Sequence, residues 1–112
     1  MTQYYLKNRG SKYKNTPKII DGIRFDSKLE ASYYLHLKLL QSQGIVKFFL
    51  RQPAFHLSSD VTYRADFQIF YTDGLVDFVD VKGYETETFK IKKKLVEDKY
   101  PVTLTIITKG KW

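Results

Sequence analysis

Two aspartates and a lysine carry the chemistry of this chain. Asp66 sits in Tyr63-Arg64-Ala65-Asp66-Phe67, and Asp80 and Lys82 sit in Val79-Asp80-Val81-Lys82-Gly83. Asp73-Gly74 lies between the two segments, which read as the strands of one hairpin. A loop Thr72-Asp73-Gly74 ending on a left-handed glycine is a common hairpin solution. It sets Tyr71 against Leu75 and therefore Asp66 directly opposite Asp80. Opposed residues share a sheet face with Cβ atoms about 5 Å apart, and like charges there repel. The pair is an electrostatic liability unless a cation sits between its members. Lys82, two residues past Asp80, points to the same side.

This grouping suits metal-dependent phosphodiester hydrolysis. The backbone anion repels nucleophiles and its alkoxide leaves poorly, and a divalent ion addresses both problems. Mg²⁺ takes oxygen ligands and keeps several waters. Asp66, Asp80 and the main-chain carbonyl of Val81 would then suffice as protein ligands, with Mn²⁺ as a substitute ion. Lys82 would orient or deprotonate the attacking water, or offset charge on the pentavalent phosphorus. Residue types alone leave these roles open.

The elements around these residues follow from local rules. Ile19 to Phe25 is β-rich and broken by Asp21-Gly22, which predicts a small hairpin. Ser27-Lys28-Leu29-Glu30 matches a capping box, and Leu29, Tyr33, Leu37 and Leu40 recur at helical spacing up to a stop at Gly44. Ile45 to Leu57 predicts a strand that bends or lies at an edge at Pro53, which has no N–H to give. The Asp66 and Asp80 strands come next. Thr86 or Thr88 caps a second helix running to about Tyr100, acidic at its start and basic later, as the helix dipole favours. Pro101 ends it, and Val102 to Ile107 predicts a buried strand. The order is α-β-β-β-α-β.

Strand parity puts Val76, Phe78, Asp80 and Lys82 on one face and Val79 and Val81 on the other. On the partner strand Phe70 shares the face of Asp66, and Ala65, Phe67 and Ile69 line the opposite one. Both faces are apolar toward the Asp73-Gly74 loop, which implies a sheet covered on both sides with an open site at one end.

A length of 112 residues bounds the chain to one domain with a modest core, here 19–112, behind a basic arm, 1–18. The net charge of +7 favours a polyanionic partner. The arm carries Lys12 and Lys14 among its cations, with no acid, and reads either as a solvated terminus or as a segment that lies along phosphates. Arg24 and Arg64, near the site, are further candidate DNA contacts. So are Lys90, Lys93 and Lys94 on the second helix, where a lysine run is otherwise a solvated face. There are no cysteines, so disulfides and cysteine zinc sites are excluded. No apolar run is long enough to span a bilayer, and the first residues lack the apolar core of a signal peptide. The chain reads as soluble and intracellular. His36 and His56 have no ligand spacing and read as structural. Trp112 reads either as a base-stacking ring or as a cap on the core. Gln52 is a polar strand residue before proline, left outside the catalytic set.

Asp66 followed across a hairpin by Asp80-Val81-Lys82, inside this element order, resembles the PD-(D/E)xK nuclease superfamily. The stretches Ile20 to Ser27, Gln52-Pro53-Ala54-Phe55, Tyr63 to Phe67 and Asp80 to Gly83 are similar to a small phage-encoded endonuclease family within it. The similarity covers about residues 13–100. Ala65 stands where the superfamily motif has its proline, and Asp80 replaces the commoner glutamate. The resemblance implies an α/β (α+β), restriction-endonuclease-like αβββαβ core with a mixed four-stranded sheet flanked by helices. It also implies that Glu30, on the first helix, joins Asp66, Asp80 and Lys82 in the catalytic set. Glu30 would bind a second ion or position the attacking water, a role that competes with its place in the capping box.

The implied activity is a Mg²⁺-dependent DNA endonuclease leaving 5′-phosphates, acting in the cytoplasm of a host cell if phage-encoded, with no organic cofactor. One active site per small chain favours a homodimer for cutting both strands. A Holliday-junction or branched-DNA resolvase is the rival within the enzyme class. A non-catalytic DNA-binding module on a nuclease fold is the rival outside it.

Overall fold

The computed structural model describes residues 17–112, so the arm lysines Lys12 and Lys14 lie outside the described residues. The chain begins with a hairpin of β1 (Lys18–Ile20) and β2 (Ile23–Phe25). Its turn residues Asp21 and Gly22 both have positive φ, 53° and 75°, as a two-residue primed turn requires. Helix α1 (Lys28–Ser42) follows, with Ser27 as N-cap, its hydroxyl accepting from the Glu30 amide at 3.1 Å. Gly44, at φ 79°, turns the chain after the helix.

Four strands form the central sheet in the order β3 (Val46–Arg51), β6 (Phe67–Tyr71), β7 (Val76–Val81), β8 (Leu104–Ile107). The first two pairings are antiparallel and β7–β8 is parallel, joined through α2 (Glu87–Lys99). A parallel neighbour needs such a crossover. The architecture is thus α+β, a mixed four-stranded sheet flanked by two helices, and its core order is the expected αβββαβ. Thr86 caps α2, its hydroxyl accepting from the Phe89 amide.

Each helix covers one face. Under α1, Tyr33, Tyr34 and Leu37 pack on Phe67, Ile69, Val79 and Val81. On the other face Phe89 and Val96 of α2 pack with Phe55, Tyr63, Ala65 and Leu104. Trp112 lies edge-on to Tyr33, with ring centroids 5.2 Å apart, so it joins the cover of α1. Among the described residues no helix is long and apolar enough to cross a membrane.

Four expectations are corrected. The strand expected from Ile45 to Leu57 is two strands, β3 and β4 (Ala54–Ser58), because Gln52 adopts a left-handed backbone, φ 57°, and Pro53 cannot continue the ladder. The segment Tyr63 to Phe67 is likewise interrupted: β5 (Val61–Arg64) ends before Ala65, and β6 begins at Phe67. The two breaks are one bend. The Gln52 amide donates to the Asp66 carbonyl at 3.0 Å, and the Ala65 amide donates to the Pro53 carbonyl at 3.1 Å. Beyond this corner β4 and β5 form their own hairpin, held to the end of α2 by Lys99 and Tyr100, which both donate to the His56 carbonyl. Ala65 therefore packs on the α2 side, not beside Phe67 and Ile69. The last strand begins at Leu104 rather than Val102, and only Leu104 is fully buried in it.

Candidate active site

The hairpin that carries the acids has the predicted register. Phe70 pairs with Val76 and Phe67 with Val79. The Tyr71 amide donates to Leu75 across the loop at 2.9 Å, and Gly74 takes φ 97°. Continuing the register one residue past β6 sets Asp66 opposite Asp80. The Asp66 amide donates to the Val79 carbonyl at 3.0 Å, which keeps the two strands together where the ladder ends.

Asp80 is the one charged residue in the buried core among the described residues, 1% exposed. Its Oδ2 accepts from the Tyr63 hydroxyl at 2.5 Å. Its Oδ1 is buried with no hydrogen-bond partner. An orphaned carboxylate oxygen in the interior is costly. Asp66 Oδ2 accepts from the Val81 amide at 2.8 Å. In an extended strand the amide and carbonyl of one residue point to the same side. The Val81 carbonyl therefore faces the same side of β7 as Asp66.

Glu30 reaches the same cluster from α1. Its amide serves the Ser27 cap, while its carboxylate, 14% exposed, faces Arg51 with an N···O distance of 3.9 Å. The reciprocal half of the capping box, Glu30 back to the Ser27 amide, is absent among the described residues. The Glu30 amide thus takes part in the cap, while its side chain turns to Arg51 rather than to the Ser27 amide. Arg51 is itself braced over the Phe25 ring, 4.9 Å from its centroid, with its Nε buried and unpartnered.

Burial pushes the Asp66 carboxyl well above the usual carboxylate range, and the Glu30 and Asp80 charges push it further. Burial also raises Asp80, against the opposing pull of Lys82, the Tyr63 hydrogen bond and the nearby Asp66 amide, whose hydrogen bond goes to the Val79 carbonyl. Burial raises Glu30, with Arg51 opposing. Three acids thus share one low-dielectric corner and resist ionising together. Lys82 flanks them, its ammonium 4.5 Å from the centroid of the Phe89 ring.

Among the described residues no three His, Asp or Glu side chains form a ready metal cage. The donor set that would suit Mg²⁺ is smaller: the carboxylates of Asp66 and Asp80, the latter through its orphaned oxygen, and the Val81 carbonyl. Glu30 stands off from that set on its arginine.

The expected DNA-contact residues separate into two groups. Arg64 lines a recess beside the cluster with Lys82 and Lys92. Lys90, Lys93 and Lys94 are each paired along α2, with Glu87, Glu97 and Asp98 at 3.4, 3.0 and 3.5 Å. Arg24 is paired with Asp26 at 3.1 Å. Sequence reasoning missed Tyr63, Arg51 and Lys92. The signal for Lys92 was its lack of an acid three or four residues away, where its neighbours have one.

The chain belongs to a family described as a protein of unknown function (DUF1064), whose model matches residues 10–111. That description names no activity. No curated protein and no solved structure matches the chain.

Proposed function

We propose that this protein is a Mg²⁺-dependent DNA endonuclease that hydrolyses phosphodiester bonds to leave 5′-phosphates. The observation that carries the reading is the unpartnered, buried Oδ1 of Asp80 among three carboxyls whose ionisation burial opposes. Such a corner is relieved by a bound cation. The αβββαβ order and the match of Glu30, Asp66, Asp80 and Lys82 to the PD-(D/E)xK pattern support it further.

Asp66, Asp80 and the Val81 carbonyl would hold the ion, which supplies Lewis-acid polarisation of the scissile phosphate. Tyr63 fixes the rotamer of Asp80 by its hydroxyl, and the Val81 amide fixes that of Asp66. Glu30, tethered by Arg51, positions the attacking water and takes up its proton. Lys82 offsets charge as it builds on the phosphate. The protein would act in the cytoplasm, and as a homodimer where both strands of a duplex are cut.

The test is cleavage of supercoiled plasmid, linear duplex and a four-way junction with Mg²⁺, Mn²⁺ or chelator. Metal-dependent cutting lost in Asp80→Ala supports the nuclease, and preference for the junction would make it a resolvase. No cutting of any substrate, with DNA binding unchanged by metal, would replace this reading with a binding module.

A further inference from the structure

Two recesses open on either side of the loop after β7, and consecutive residues of that loop line them. Lys82 lines the first, about 300 Å³, with Arg64 of β5 and Thr86, Thr88 and Lys92 at the start of α2. Gly83 lines the second, about 670 Å³, with Lys28 of α1, Lys109 and Trp112. Among the described residues none of these five cations forms a close ion pair, although Lys82 also faces the carboxyl cluster. This contrasts with Lys90, Lys93 and Lys94, whose charge is spent on their own helix. Uncompensated lysine and arginine around hydroxyl-bearing recesses select phosphate oxygens. Tyr63 joins the first recess to the carboxylates, since it lines the one and its hydroxyl holds Asp80.

Tyr84 follows Gly83 in the same loop, 80% exposed and making no aromatic contact among the described residues. An exposed aromatic ring two residues from Lys82, though with acidic Glu85 after it, suits single-stranded nucleic acid, because an unpaired base can lie on the ring. A duplex keeps its base faces inside its own stack.

We infer that the two recesses seat phosphates of one unpaired polynucleotide strand, which crosses the loop at Gly83 with a base on Tyr84. This deepens the proposed function, and rests on it only for what happens at the carboxylates. The substrate is then DNA with an unpaired stretch at the site, such as a branch, flap or frayed end.

The experiment is fluorescence anisotropy of labelled oligothymidylate and of a duplex of equal length, in chelator, across a salt series. Wild type is compared with Arg64→Ala/Lys92→Ala, Lys28→Ala/Lys109→Ala, Tyr84→Ala and Lys90→Ala/Lys94→Ala. Thermal unfolding checks that each variant is folded. The first two pairs each weaken single-strand binding by about tenfold and lower the log–log salt slope by about 1.4, near 0.7 per lost contact. Tyr84→Ala weakens single-strand binding by about tenfold and duplex binding by less than about twofold. Lys90→Ala/Lys94→Ala, which removes the same charge, changes binding by less than about twofold. Either recess pair behaving like Lys90→Ala/Lys94→Ala, an inert Tyr84→Ala, or tighter binding of duplex than single strand would overturn the inference. Chelator keeps this readout separate from cleavage, so the strand path and the nuclease reading can fail independently.

Discussion

The hydroxyl of Tyr63 is bonded to Oδ2 of Asp80 and leaves Oδ1 bare. That bond favours the ionised carboxylate, partly offsetting the burial that raises it. Tyr63→Phe should therefore push the Asp80 carboxyl further up. The acid limb of the pH–rate profile for cleavage should move to higher pH, and stability should fall by about 1–2 kcal/mol. An unmoved acid limb would show that Tyr63 packs without tuning Asp80.

Without divalent ions the cluster makes stability fall as pH rises. Asp66, Asp80 and Glu30 all have raised folded-state values. The folded state therefore holds protons that the unfolded chain has already released. Their contribution is fully present below the ordinary carboxylate range, about pH 4, and is lost as pH rises through the raised values. In chelator, the Tm of wild type minus that of Asp66→Asn/Asp80→Asn should be larger at pH 5 than at pH 8. Mg²⁺ should shrink that dependence by taking the place of the protons. A difference that stays flat or grows with pH in chelator would contradict the cluster.

Asp80→Asn separates stability from activity. The amide keeps an acceptor for Tyr63 and places a donor among carboxylates. In chelator at pH 8 it should raise stability by about 1 kcal/mol, a Tm increase of roughly 4–8 °C. Cleavage should drop by about a thousandfold, near 4 kcal/mol of barrier. A variant that loses both stability and cleavage would point to a scaffold role for Asp80.

Gln52 stands in left-handed backbone without being glycine. Gln52→Gly keeps the amide that donates to Asp66 and removes the Cβ conflict, against a larger unfolded-state entropy. A net gain of about 0.5–1 kcal/mol in chemical denaturation is expected. A loss would mean that the glutamine side chain contributes contacts of its own.

The acid pair was legible in sequence because its register is set locally, by a loop whose glycine position fixes which residues oppose. Both helices were legible through Ser27, Thr86 and Pro101. The corner was not. Pro53 announces that a strand cannot run straight, but the direction of departure depends on Ala65 and Asp66, which bond to Pro53 and Gln52 respectively from the other strand. Tyr63 and Arg51 acquire their partners only through that corner and the docking of α1, so no spacing rule exposes them. The pairing of Lys93 with Glu97 and of Lys94 with Asp98 was visible at i,i+4 and deserved more weight than the lysine run itself.

The two covers of the sheet deliver different parts of the acidic corner. Glu30 arrives only when α1 closes over Phe67 and Val79, and Tyr63 only when the β4–β5 hairpin closes with α2 over Leu104. A chain with one half docked lacks either the third carboxylate or the brace on the second. The corner thus behaves as a coincidence detector for folding, complete only in a molecule whose two halves have both passed assembly.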